Sequence, residues 1–223
     1  MPIALMNRRR AQKEANPITI SAVGSLVSGS SAYTATVYHL SVSPVSVGDL
    51  FMVGAITYPA QAIQTLSSGG VTTWNHIGLY NGGGTGVDLW WGAITTSGSS
   101  TLSATYASAP SGAGIVAREF SKGSGTWAVD GSEGTKYPAA TTFTLPSLIP
   151  SAAGELYWSI SYSGEALSSG STTGYTYTTS SSTGIGGNLI EVYNPKVPGG
   201  PQAPTVDQAG TYNSICASIL MAA

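Results

Sequence analysis

Beyond residue 17 no stretch of this chain carries a helical period, and that constrains it to an all-β fold. From Ile18 onward it is built of short runs rich in β-branched and aromatic residues, punctuated by Gly, Ser and Asn. The punctuation predicts strands over 18–24, 33–41, 49–58, 72–80, 86–95, 100–106, 113–120, 141–146, 155–163, 173–179, 187–193 and 213–221. The run Asp49 to Tyr58 is almost continuously apolar, which suits a central strand. In 155–162 the residues Leu156, Trp158, Ile160 and Tyr162 alternate onto one face, and 101–106 alternates strictly. Gly69-Gly70, Gly82-Gly83-Gly84 and Gly123-Ser124-Gly125 read as turns needing positive φ. About twelve strands at this spacing predict a two-sheet antiparallel β-sandwich of jelly-roll type. Residues 18–223 form one such domain, since all-β domains commonly run to roughly 200–250 residues.

Residues 3–15 are different. Leu5, Met6, Ala11, Gln12, Lys13 and Glu14 are good helix formers, and Asn16-Pro17 stops them. Arg8, Arg9, Arg10 and Lys13 against Glu14 give residues 1–16 a net charge of +3; the other four basic and nine acidic residues leave the rest at −5. Residues 1–17 are therefore read as a short helical basic arm, held either by its own acidic body or by a neighbouring subunit. The body has no stripe of Lys and Arg for nucleic acid. Only 8% of residues are charged, against about 25% in an average soluble domain. Gly, Ser and Thr fill that gap, so the surface is hydroxyl-rich rather than ionic.

Catalytic chemistry is thinly supplied. His39 and His76 lie on separate predicted strands, and the single cysteine, Cys216, sits in an apolar run as a small hydrophobe. A transition-metal site needs clustered ligands, so no metal or other cofactor is expected. A serine-hydrolase relay could pair a histidine with Asp49 or Asp88, but no Gly-x-Ser-x-Gly elbow occurs. Glycosidase carboxylates would come from Asp88, Glu119, Asp130, Glu133, Glu155, Glu165 and Glu191. Arg118 beside Glu119 reads as a structural ion pair. Gly82-Gly83-Gly84 reads as a hairpin turn and nothing more. The expectation is a non-enzymatic protein.

Aromatic residues are the remaining lead. Trp90 and Trp91 are adjacent on a strand and face opposite sides. One belongs in the core; the other is either covered by a loop or a candidate interface or ligand anchor. The segment 194–204 holds Pro195, Pro198, Pro201 and Pro204, and reads as a long exposed spacer before the last strand.

No run approaches the roughly 18 apolar residues of a membrane helix. At the N-terminus Ile3, Ala4, Leu5 and Met6 precede the arginines, the reverse of a secretory signal. No disulfide can form within the chain, and no Asn-x-Ser/Thr acceptor occurs. A surface-type composition without export features points to a particle assembled in a bacterial cytoplasm and released by lysis.

Gly69 to Trp74, Asp88 to Gly98 and Ala117 to Ser121, with strands that begin after Gly48-Asp49 and Gly154-Glu155, carry a resemblance. Over roughly residues 20–221 the chain resembles a β-sandwich module of minor tail and other virion proteins of phages infecting actinobacteria. The resemblance implies a capsid decoration or minor tail protein of a tailed phage. Its partners would be major capsid or tail subunits and further copies of itself, for example as a trimer. A carbohydrate-binding module taking host glycans on Trp90 or Trp91 is the alternative, and a surface-polysaccharide hydrolase a third. The arm is not part of the module.

Overall fold

The computed structural model describes residues 19–32, 35–123, 125–181, 184 and 186–223. The arm, with Arg8, Arg9, Arg10 and Lys13, lies outside the described residues. Fourteen strands run through the described residues: β1 (Ser21–Ala32), β2 (Val37–Val42), β3 (Leu50–Tyr58), β4 (Ile63–Ser68), β5 (Asn75–Asn81), β6 (Gly86–Ala93), β7 (Ser100–Tyr106), β8 (Gly112–Ser121), β9 (Ala128–Thr144), β10 (Leu156–Ser163), β11 (Leu167–Ser169), β12 (Thr176–Ser180), β13 (Asn188–Asn194) and β14 (Thr205–Ala222). All pair antiparallel, in a sandwich-like arrangement.

The expected two sheets are three. A central sheet of order β1-β8-β3-β6-β5 has a sheet on each face. One face packs on the sheet containing β10, β13 and β14 through Leu50, Met52, Ile56, Leu89 and Phe120 against Leu156, Trp158, Ile160 and Ile219. The other packs on the small sheet β2-β7-β4 through Phe51, Val53, Trp90 and Ile115 against Tyr38, Leu40, Leu66 and Leu102. This double cover explains why β3 is apolar on both faces. The outer strand β2 buries only alternate residues.

The two halves of the chain repeat one plan. The first gives β1-β8-β3-β6-β5; the second gives β9-β14-β10-β13-β12. In the second half β9 does the work of both β1 and β2, and β14 that of β7 and β8. Thus Thr205–Asp207 of β14 lie between Thr142–Thr144 of β9 and the short β11, as β7 lies between β2 and β4. The entrances to β3 and β10 match bond for bond. Gly48 N–H donates to Ile94 O (2.8 Å) and Ile94 N–H to Asp49 O (2.8 Å); Gly154 N–H donates to Val197 O (2.8 Å) and Val197 N–H to Glu155 O (3.0 Å). Both glycines have positive φ, 93° and 96°, a conformation that costs most other residues energy.

The proline-rich segment is also corrected. It is not a wholly exposed spacer: Val197 and Gln202 are buried, and Gln202 bridges to Leu148. There it helps close a third core of Phe143, Tyr157, Ile190, Val192 and Leu220 on the back of the second sheet. Prolines suit this place because an irregular cover needs no continuous ladder of N–H donors.

Arg118 and Glu119 do not pair with each other. As neighbours on β8 they face opposite ways. Arg118 crosses to the second sheet and grips Glu191 of β13, with Nε 3.1 Å from both carboxylate oxygens and Nη2 2.5 Å from Oε2. Glu191 also accepts Trp158 Nε1–H at 2.7 Å. The remaining guanidinium donors go to Gly24 O and Thr178 Oγ1.

Candidate binding site

Asp88 is fully buried. Its carboxylate accepts Ile63 N–H at 2.7 Å and Trp90 Nε1–H at 3.0 Å, and lies 2.6 Å from His76 Nε2. Burial pushes its carboxyl upward, and these three partners oppose that push. The Trp90 ring is buried and packs on His76, with centroids 4.5 Å apart. Asp88 thus ties the start of β4 to β6. Among the described residues no hydroxyl is hydrogen-bonded to the other nitrogen of His76. His39 lies on β2 and meets Ser103 at 2.9 Å. Among the described residues no three His, Cys, Asp or Glu side chains converge as metal ligands.

The ends of the sandwich differ. At one end lie Ser21, Ser121 and the entrances to β3 and β10. Here carboxylates come in two pairs that hold those entrances. Glu119 accepts Val45 N–H (2.8 Å) and Ser46 N–H (3.0 Å) and neighbours Asp49. Asp130 accepts Ser151 N–H (2.7 Å), and Glu155 accepts Ala152 N–H (3.0 Å). Asp49 is pushed up to about 6 by burial and by Glu119; Glu155 is raised by burial and by Asp130. Around these pairs Val45, Val47 and Ile149 stand exposed. Trp91 is half-buried and lines a groove of about 380 Å³ with Gly48, Asn75, Ala93 and Trp127. Trp127 donates Nε1–H to Gly48 O at 3.3 Å, and Lys122 Nζ lies 4.1 Å from its ring centroid. Of the two tryptophans read from the sequence, Trp90 is therefore in the core and Trp91 at the rim of a groove.

The opposite end holds a cleft of about 350 Å³. Tyr58 ends β3; the β5–β6 turn supplies Gly82, Gly83 and Thr85; β10 supplies Tyr162, and β14 supplies Tyr212, Asn213, Ser214 and Ile215. The Tyr58 and Tyr212 side chains are about half exposed (51% and 49%), although both are large aromatics on strands. Their supports are fixed. Ala60 N–H donates to Gly84 O at 2.7 Å, pinning the chain after Tyr58 to the turn. Register shifts in β14 on both sides of Tyr212 make a bulge, the usual device for re-aiming a strand side chain. Gln208 holds that bulge. It is buried, donates Nε2–H to Tyr212 O (2.8 Å) and Ala140 O, and accepts the hydroxyls of Ser163 (2.6 Å) and Ser214 (3.0 Å). The Tyr212 ring lies over Gly164, where an added Cβ would come within 2.8 Å of it.

The glycine turn at 82–84 is thus a hairpin turn and also a wall of the cleft. Tyr58 and Tyr212 were not singled out by sequence. Their signals were slight: a Tyr-Pro step ending an apolar strand, and a Tyr-Asn step after Ala209-Gly210. No family model, curated protein or solved structure matches the chain.

Proposed function

We propose that this protein is a non-enzymatic structural component on the exterior of a tailed bacteriophage particle, a capsid decoration or minor tail protein. On this reading residues 1–17 are a helical basic arm that attaches the chain, and the body is a jelly-roll-like sandwich that projects. The observation that carries it is the polarity of the body. The first described strand, β1, begins at the end bearing Val45, Val47, Ile149 and the Trp91 groove, so this is the end the proposal turns toward the particle. Among the described residues the exposed large hydrophobics of the far end are Val37, Tyr58 and Tyr212, a lone valine and two tyrosines in place of an aliphatic cluster. The low charge of the body suits a surface solvated by hydroxyl groups. Arg8, Arg9, Arg10 and Lys13 would lie against acidic patches of capsid or tail subunits. Copies of the chain, for example three about a symmetry axis, would multiply such weak contacts into firm attachment.

Deleting residues 1–17 tests the reading. The truncated chain is expected to keep the thermal midpoint of the full chain and to be lost from particles, as measured by mass spectrometry of purified virions. Incorporation at the normal level would overturn the anchoring role.

A further inference from the structure

We infer that the cleft between Tyr58 and Tyr212 is a binding site for a neutral saccharide. This does not rest on the virion reading, and it concerns the end of the molecule opposite the start of β1.

The lining of the cleft is uncharged. Its side chains are Tyr58, Thr85, Tyr162, Tyr212, Asn213, Ser214 and Ile215, and not one of them is a carboxylate, a lysine or an arginine. Among the described side chains that line the cleft, an anionic ligand such as a phosphate meets no counter-charge and a cation meets no carboxylate. What the cleft offers is amide and hydroxyl groups beside aromatic rings. A pyranose matches that combination, because its C–H face packs on an aromatic ring while its hydroxyls exchange hydrogen bonds with Asn213 and Thr85. The volume, about 350 Å³, falls at the lower end of the range for small-ligand sites. A globular partner would need a far larger contact.

The cleft is also pre-organised. Half-exposed tyrosines on a loose loop would lose much of their binding energy in becoming ordered. These rings are held beforehand. Tyr58 closes a strand that is buried along its length, and the turn facing it is locked by Asn81 Oδ1, which accepts Gly83 N–H (3.2 Å) and Gly84 N–H (3.4 Å). Tyr212 sits on a bulge tied by the buried Gln208. This buried hub fixes the backbone that carries Tyr212 whether or not a ligand is present.

The experiment uses the full chain on an array of neutral and charged saccharides, followed by titration of each hit. D-Galactose, D-glucose, L-rhamnose and N-acetyl-D-glucosamine are also titrated directly by ligand-observed NMR. Binding to at least one neutral saccharide is expected. Tyr58→Ala and Tyr212→Ala should each weaken it at least tenfold, whereas Tyr58→Phe and Tyr212→Phe should retain most of it, since the stacking face survives. Thr85→Arg, which sets a long charged side chain into the cleft from a turn residue, should abolish binding and so keeps the test decisive if an alanine variant fails to fold. The inference is overturned if no neutral saccharide binds, or if binding is unchanged by Thr85→Arg.

Discussion

Arg118→Ala is expected to lower the free energy of unfolding by about 3–5 kcal/mol, the usual cost of removing one partner from a buried ion pair. The reason lies in what is left behind. Glu191 is fully buried, and in the variant it would keep only the Trp158 indole N–H and lose the guanidinium that offsets its charge. Gly24 O and Thr178 Oγ1 would lose their donor as well. The pair joins β8 of the central sheet to β13 of the second, so the loss falls on the packing between layers. Arg118→Met combined with Glu191→Gln should recover most of the loss, because no charge is then buried and the glutamine still accepts from Trp158. Urea unfolding of the wild type and the two variants measures this. A loss below about 1 kcal/mol for Arg118→Ala would mean that the pair is not sealed from water.

Asp49→Asn is expected to act in the opposite direction. Asp49 is buried beside Glu119, and its carboxyl is pushed from an ordinary 3.8 up to about 6. An acid raised in the folded state favours folding only while it is protonated. Its contribution is complete below about pH 4 and is lost as the pH rises through about 6. The wild type should therefore lose stability across that interval, by at most about 3 kcal/mol from this group. The asparagine amide can donate to Glu119 at every pH, so the variant should be the more stable protein at pH 7 and equal to wild type near pH 4. Glu155 beside Asp130 shifts in the same direction and will leave some slope in the variant. Thermal midpoints measured between pH 4 and pH 8 test this. Identical pH profiles for the two proteins would show that Asp49 does not bear the proton.

The class of fold was legible because strand periodicity is a local property. The apolar run at 49–58 and the one-sided alternation of Leu156, Trp158, Ile160 and Tyr162 became β3 and β10, the central strands of their sheets. What failed was local in appearance but decided by partners. Residues 128–140 contain Gly131, Gly134 and Pro138 and fall outside the strands predicted from sequence, yet they form the first part of β9. That strand pairs only with β14, so it tolerates residues that a central strand would not. Strand β4, with its repeated Ser and Thr, carried too little apolar signal to be read. The third sheet was missed for a related reason: β2 and β7 show ordinary one-sided alternation, and nothing in it says which sheet they cover. The internal repeat had a signal in Pro44-x-x-x-Gly48-Asp49-Leu50 and Pro150-x-x-x-Gly154-Glu155-Leu156. Outside those entrances the halves have diverged, with Glu119 on β8 and Asp130 on β9 doing similar work from different strands.

The candidate sites were less legible than the fold. Sequence pointed to Trp90 and Trp91, because adjacent residues on a strand face opposite sides and one of the two had to lie outside the core. The structure buries Trp90 against His76 and leaves half-exposed tyrosines at the far end, placed there by a bulge and a turn that depend on tertiary hydrogen bonds.

The central claim is that the body stands on a particle with its arm end inward. Single introduced cysteines test it directly, since the one native cysteine, Cys216, is buried and its thiol is pushed up to about 12. Val47→Cys marks the end where β1 begins, and Ala109→Cys marks the end with the tyrosine cleft. On intact purified phage particles carrying either variant, a maleimide dye should label Ala109→Cys and spare Val47→Cys, while both should react in the isolated protein. Equal labelling of the two positions on particles, or absence of the chain from purified particles, would contradict the account.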